Sequence, residues 1–134
     1  MISLTLPYPV SSNRYWRSFV PKGWTRAVVA LSPEAKSYKS EVGWIAKAAG
    51  VHTPMRGPLE VDLQLVPINR RRVDIDNALK VAIDALNGIA FDDDSQIIRL
   101  TAEVMDADGK GALLVRVSAF EPRPAAIFAQ QQAA

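Results

Sequence analysis

Five carboxylates, Asp74, Asp76, Asp92, Asp93 and Asp94, crowd one short stretch of the chain. Three arginines, Arg70, Arg71 and Arg72, stand just before the first of them, and Lys80 follows one helical turn after Asp76. Phosphodiester cleavage calls for this assortment. A divalent cation neutralises the phosphate, polarises the scissile bond and delivers a hydroxide. Magnesium takes hard oxygen ligands, commonly one or two carboxylates plus water and substrate oxygens. Carboxylates brought within about 4–6 Å resist ionising together, so a cluster of them is costly unless a cation sits among them. The bland reading makes Asp74 a helix N-cap, Asp76 a first-turn acid, Lys80 an i,i+4 partner of Asp76 and Asp84, and Asp92–Asp94 a solvated loop. The two readings differ in one geometric demand. A shared ion requires Asp94 within about 10 Å of Asp74 or Asp76, and the enzymatic reading depends on it.

The elements that must position these groups follow from pattern. Ile2–Leu6 alternates and stops at Pro7, giving a first strand. Ser11–Arg17 leads into a loop punctuated by Pro21, Lys22 and Gly23. Ser32–Pro33–Glu34 starts a helix that runs to Ala49 and ends at Gly50. Leu59–Pro67 alternates as a half-buried strand. A second helix spans Asp74 to Asn87, ending at Gly88, with Ile75, Leu79, Ala82, Ile83 and Leu86 on its core face. Asp76, Lys80, Asp84 and Asn87 gather on another face, with Asn77 at its edge. Ile97–Met105 and Ala112–Phe120 read as a hairpin turned around Asp108–Gly109–Lys110–Gly111. The order β-α-β-α-β-β predicts an α+β domain over 1–120, with two helices packed on a mixed sheet. The Pro/Ala/Gln-rich tail, 121–134, is expected to be disordered.

Composition narrows the chemistry. The 134 residues suit one domain, and 49% hydrophobic content supports a core. There is no cysteine and one histidine, His52, so disulfides, thiolate sites and paired-histidine mechanisms drop out. No apolar run reaches membrane-spanning length and no signal peptide is legible, which points to the cytoplasm. The net charge of +2 hides a division: the first 72 residues carry 11 Lys/Arg against 4 Asp/Glu, the remainder 5 against 10. That suits a polyanion-binding surface beside an acid cluster, or two halves that attract each other.

The compound pattern Arg70-Arg71-Arg72-Val73-Asp74-Ile75-Asp76-Asn77 with Lys80, then Asp84-Ala85-Leu86 and Asp93-Asp94-Ser95-Gln96-Ile97, resembles the RusA family of Holliday-junction resolvases. The opening Leu6-Pro7 through Ser11-Ser12-Asn13-Arg14-Tyr15 is similar to that family's first motif, and the resemblance covers roughly residues 2–120. It implies a homodimeric α+β endonuclease that uses Mg2+, with Mn2+ as a substitute, and resolves four-way DNA junctions by paired nicks. It implies Asp74, Asp76 and Asp94 as metal ligands and Lys80 as the lysine needed for cleavage, with Asn77 a motif position whose role is open. Asp92 stands where an apolar residue is more usual, so which acid of the triplet enters the site stays open.

DNA contact falls to Arg14, Arg17, Lys22, Trp24 and Arg26 near the N-terminus and to Arg70, Arg71, Arg72 and Asn77 beside the acids. Cations neutralise phosphate, and aromatic rings stack on bases that a branch leaves unpaired. Two symmetric cuts ask for two identical sites, as a C2 dimer supplies. Ala78, Val81 and Ala85 extend the apolar arc of the second helix beyond one sheet contact, leaving a face for a partner or marking a deeply buried helix. A non-catalytic nucleic-acid-binding module and, more weakly, a small-molecule phosphohydrolase are the competing readings.

Overall fold

The computed structural model describes residues 1–123. Strand β1 (Ile2–Leu6) is followed by the single turn α1 (Ser12–Tyr15), a ribbon of β2 (Trp16–Phe19) and β3 (Val28–Leu31), and helix α2 (Pro33–Ala48). Then come β4 (Leu59–Val66), helix α3 (Ile75–Leu86), a 3-10 turn at Asp94–Gln96, β5 (Ile97–Val104) and β6 (Ala112–Ala119). The α+β class and the mixed sheet are as expected from pattern. The ribbon β2–β3, which the sequence presents as a loop, is an addition.

The main sheet runs β1-β6-β4-β5, with β6 antiparallel to both β1 and β4, and β5 parallel to β4. The expected β5–β6 hairpin is therefore not formed. Between the two strands the chain crosses the end of β4: Met105 N–H donates to the Leu65 carbonyl and Gly109 N–H to that of Ile68. The physical reason lies in burial. Leu113, Val115 and Val117 of β6 are buried, so this strand takes the interior place beside β4, and β5 is left at the edge. Gly111 closes the crossing at φ +82°, and a Cβ there would lie 2.5 Å from Ile68 Cγ1.

Leu59, Val61, Leu63 and Leu65 form the buried face of β4, and they share one core with Tyr38, Val42 and Ala46 of α2 and Val81, Ala82, Ala85 and Leu86 of α3. Helix α2 starts on the Ser32 cap, whose hydroxyl accepts from the Ala35 N–H. Helix α3 is turned from the expected orientation. Val81 and Ala85 are buried within the chain and offer nothing to a partner, while Ile75 is 36% exposed and Leu79 and Ile83 are only partly covered. No helix among the described residues is long and apolar enough to cross a membrane. Of the expected tail, Arg123 reaches Glu60 at 2.6 Å, and residues 124–134 lie outside those described.

Candidate active site

The β4–α3–β5 unit is a parallel crossover, so α3 runs back along the sheet from the end of β4 to the start of β5. Asp74 caps its first turn. The Asp74 carboxylate accepts from the Asn77 side-chain amide at 2.9 Å and from the Asn77 N–H at 3.4 Å. Asp76 follows in the first turn and, like Lys80 one turn on, is exposed. The cap function of Asp74 is thus present as the bland reading required, but it leaves the acids facing solvent.

A cleft of about 450 Å³ opens beside this helix start. One wall is the segment Tyr8–Asn13, and the other holds Asn69, Arg71, Arg72, Asp74 and Asn77. Ser12 and Asn13 of the opening motif line the cleft together with Asp74, a placement that only the tertiary fold reveals. Arg70 and Arg71 are exposed, with the Arg71 N–H held by the Asn69 side chain at 3.0 Å. Arg72 is exposed as well.

The second acidic group is sorted by its hydrogen bonds. Asp93 caps the 3-10 turn, accepting from the Ser95 N–H at 3.3 Å and from the Ser95 hydroxyl. The Ser95 hydroxyl bond holds its carboxyl below the usual range. The Gln96 side-chain oxygen Oε1 accepts from the N–H groups of Asp92 and Asp93, at 2.9 and 3.0 Å. Its amide nitrogen donates to the Met55 and Gly57 carbonyls, both at 3.0 Å. Asp93 is therefore committed to local structure, and Asp92 and Asp94 remain exposed.

The three proposed ligands do not converge within one chain. Asp74 and Asp76 open α3, whereas Asp94 comes after the chain has left its far end, and twelve helical residues rise about 18 Å. Among the described residues, no group of three or more His, Asp or Glu side chains stands close enough to hold a metal ion. The donor set has the right chemistry for a hard cation but, in a single chain, the wrong geometry. The crossover explains it: strand β5 begins where α3 ends.

The remaining DNA-contact candidates are brought together on the ribbon. Arg17 lies on β2, and Lys22, Trp24 and Arg26 lie in the connection to β3; all are exposed, Trp24 at 60%. Arg14 on α1 is also exposed, and the Arg17 guanidinium lies 5.2 Å from the Phe19 ring centroid. Among the described residues none of these cations forms an ion pair; the three observed pairs involve Arg99, Arg116 and Arg123. Tyr15, by contrast, is wholly buried, and its hydroxyl donates to the Asp84 carboxylate. Burial first, and that bond second, push the Tyr15 phenol well above its ordinary range.

A family model described as Endodeoxyribonuclease RusA matches residues 7–118. The chain is 32% identical over 117 residues to the crossover junction endodeoxyribonuclease RusA of Escherichia coli K12, covering 87% of this chain and 92% of that protein. The protein of the same name from Shigella sonnei shows the same identity and coverage. The crossover junction endodeoxyribonuclease of Enterobacteria phage 82 is 29% identical over 116 residues, 86% of this chain and 92% of the phage protein.

Proposed function

The chain belongs to the RusA family of endodeoxyribonucleases, and from that membership we propose that it resolves four-way DNA junctions by paired symmetric nicks. The observation that supports this best is the cleft: two motifs far apart in sequence, Ser11–Asn13 and Arg71–Asn77, face each other across it. A duplex arm entering there would meet the Arg70–Arg72 cations just before reaching Asp74. DNA as substrate makes the cytoplasm its place of work.

We assign Asp74, Asp76 and Asp94 to a divalent cation, magnesium with manganese as substitute. When bound, such an ion neutralises phosphate charge and lowers the pKa of a coordinated water. Lys80, exposed beside Asp76, would hold a phosphate oxygen or position the leaving group. Arg14, Arg17, Lys22, Arg26 and Arg70–Arg72 neutralise flanking phosphates, Trp24 stacks on bases freed at the branch, and Asn77 fixes the Asp74 carboxylate.

Because α3 separates the acids, one chain cannot bring all three to an ion. Two copies can. A two-fold axis crossing α3 lays the helices antiparallel and sets Asp94 of the partner subunit beside Asp74 and Asp76, twice per dimer. The strip that such contact would cover is present: Ile75 on α3, with Ile98 57% exposed, Leu100 40% and Val104 43% on the edge strand β5. Edges of sheets are ordinarily guarded by charge, and on the helix-covered face of β5 Leu100, Ala102 and Val104 provide none. The pairing also opposes unlike charge, Arg70–Arg72 at one end of α3 against Asp92–Asp94 at the other.

The capping of Asp74 and the separation of the acids also favour the competing reading, a binding module without catalysis. Asp76→Asn decides between them. It should abolish nicking of four-way junctions in magnesium while junction binding survives or tightens. Wild-type protein that binds junctions and nicks none in magnesium or manganese would leave only the binding module.

A further inference from the structure

Helix α1 is a single turn, and its N-cap Ser11 makes no side-chain cap. A helix this short is not self-supporting in water, so the placement of Ser12, Asn13 and Arg14 depends on what fastens the turn from outside. On the α2 side, the Ser32 N–H donates to the Tyr15 carbonyl at 2.9 Å and the Ser32 hydroxyl donates to the Arg14 carbonyl. Towards α3 there is one side-chain hydrogen bond among the described residues, from the Tyr15 hydroxyl to the Asp84 carboxylate. Asp84 is held from a third direction, because Lys39 of α2 donates to its carbonyl at 3.0 Å. The three helices therefore meet at Asp84, near the end of α3 and outside the cleft lining. Neither Tyr15 nor Asp84 lines the cleft, and the proposed chemistry uses neither.

We propose that Tyr15 and Asp84 are positioning residues for DNA cleavage: their hydrogen bond fixes the α1 wall of the cleft, with Ser12 and Asn13, against the start of α3, which carries Asp74 and Asp76. The proposal rests on the nuclease reading above. The α1 wall grips the DNA and the α3 wall carries the acids, so a shift between them alters how the scissile phosphate meets the acids more than how tightly the DNA is held. Displacements near 1 Å, made far from the reacting atoms, can cost about a hundredfold in rate.

Three variants test it, each assayed for junction affinity without divalent metal and for single-turnover nicking with saturating enzyme in magnesium. Tyr15→Phe keeps the buried ring and removes the hydroxyl. It should lower the nicking rate about ten- to hundredfold, with the junction Kd within about threefold, because the phosphate-binding cations are untouched. Asp84→Asn keeps an oxygen that can accept from the phenol and should retain nicking within about threefold of wild type. The double variant should match Tyr15→Phe alone, since both changes act through one bond. Nicking by Tyr15→Phe at the wild-type rate, even with a lowered melting temperature, would show a merely structural bond and overturn the proposal. So would parallel losses in affinity and rate. Wild-type protein that fails to nick in the same assay would instead overturn the nuclease reading.

Discussion

Asp74 has two possible duties that ordinary mutagenesis confounds. Its carboxylate caps α3 through Asn77, and it is also a proposed ligand. Asparagine is about as good an N-cap as aspartate, whereas alanine in its place costs about 1 kcal/mol. Asp74→Asn should therefore leave the urea midpoint unchanged and still abolish junction nicking, while Asp74→Ala loses both stability and activity. If Asp74→Asn nicks normally, the residue is a cap and nothing more. The triplet Asp92–Asp94 shows the same division of labour without mutation. Asp93 is spent on Ser95, and Gln96 ties the backbone of Asp92 and Asp93 to the Met55–Gly57 segment. That pattern leaves Asp94 available and gives the Ser and Gln of the motif a reason to be there. Sequence spacing could nominate three acids but not say which one the turn would consume.

The ribbon β2–β3 should act as an electrostatic unit. Arg17, Lys22 and Arg26 are exposed and, among the described residues, make no ion pairs, so each phosphate they meet releases counterion. Replacing all three by serine should lower the slope of log K against log salt for junction binding by about two to three, leaving the fold intact. An unchanged slope would place the DNA elsewhere. This ribbon was illegible beforehand because Trp16–Phe19 and Val28–Leu31 are short and are separated by Val20–Ala27, longer than a tight turn. Helix limits were legible where chemistry marks them, at the Ser32 and Asp74 caps and at Gly88, whose φ is +80°. Strand partners were not. The Asp108–Gly111 turn looks like a hairpin locally, and only the hydrogen-bonding need of β4 for a neighbour on each side, with the buried residues of β6, sends β6 across to its far edge. The core face of α3 was misjudged for a related reason. Periodicity gives the width of an apolar arc but not which part meets the sheet, so Ile75 was expected inside and is exposed.

The separation of Asp94 from Asp74 and Asp76 is a property of the crossover topology and cannot be relieved by a side-chain rotation. An enzyme built on this chain must therefore either work without one of the three acids or borrow it. Mixed dimers distinguish these. Asp76→Asn and Asp94→Asn should each be inactive alone. Co-expressed with different tags and isolated as dimers carrying both, they combine both lesions in one site and leave the other with Asp76 from one chain and Asp94 from its partner. That dimer should nick one strand of a junction without the paired second cut. In an unsorted mixture, about a quarter of wild-type sites would be intact. If the acids acted within one chain, every site in the mixed dimer would carry a lesion and nothing would be nicked. A companion change tests the surface itself. Leu100→Asp places a charge on the open edge of β5, where the side chain is 40% exposed and little internal packing is lost. It should yield a folded monomer that no longer nicks junctions. If it stays dimeric and active while the mixed dimer is dead, both the edge-strand interface and the shared site are wrong; if Asp94→Asn alone nicks normally, Asp94 has no part in the cut.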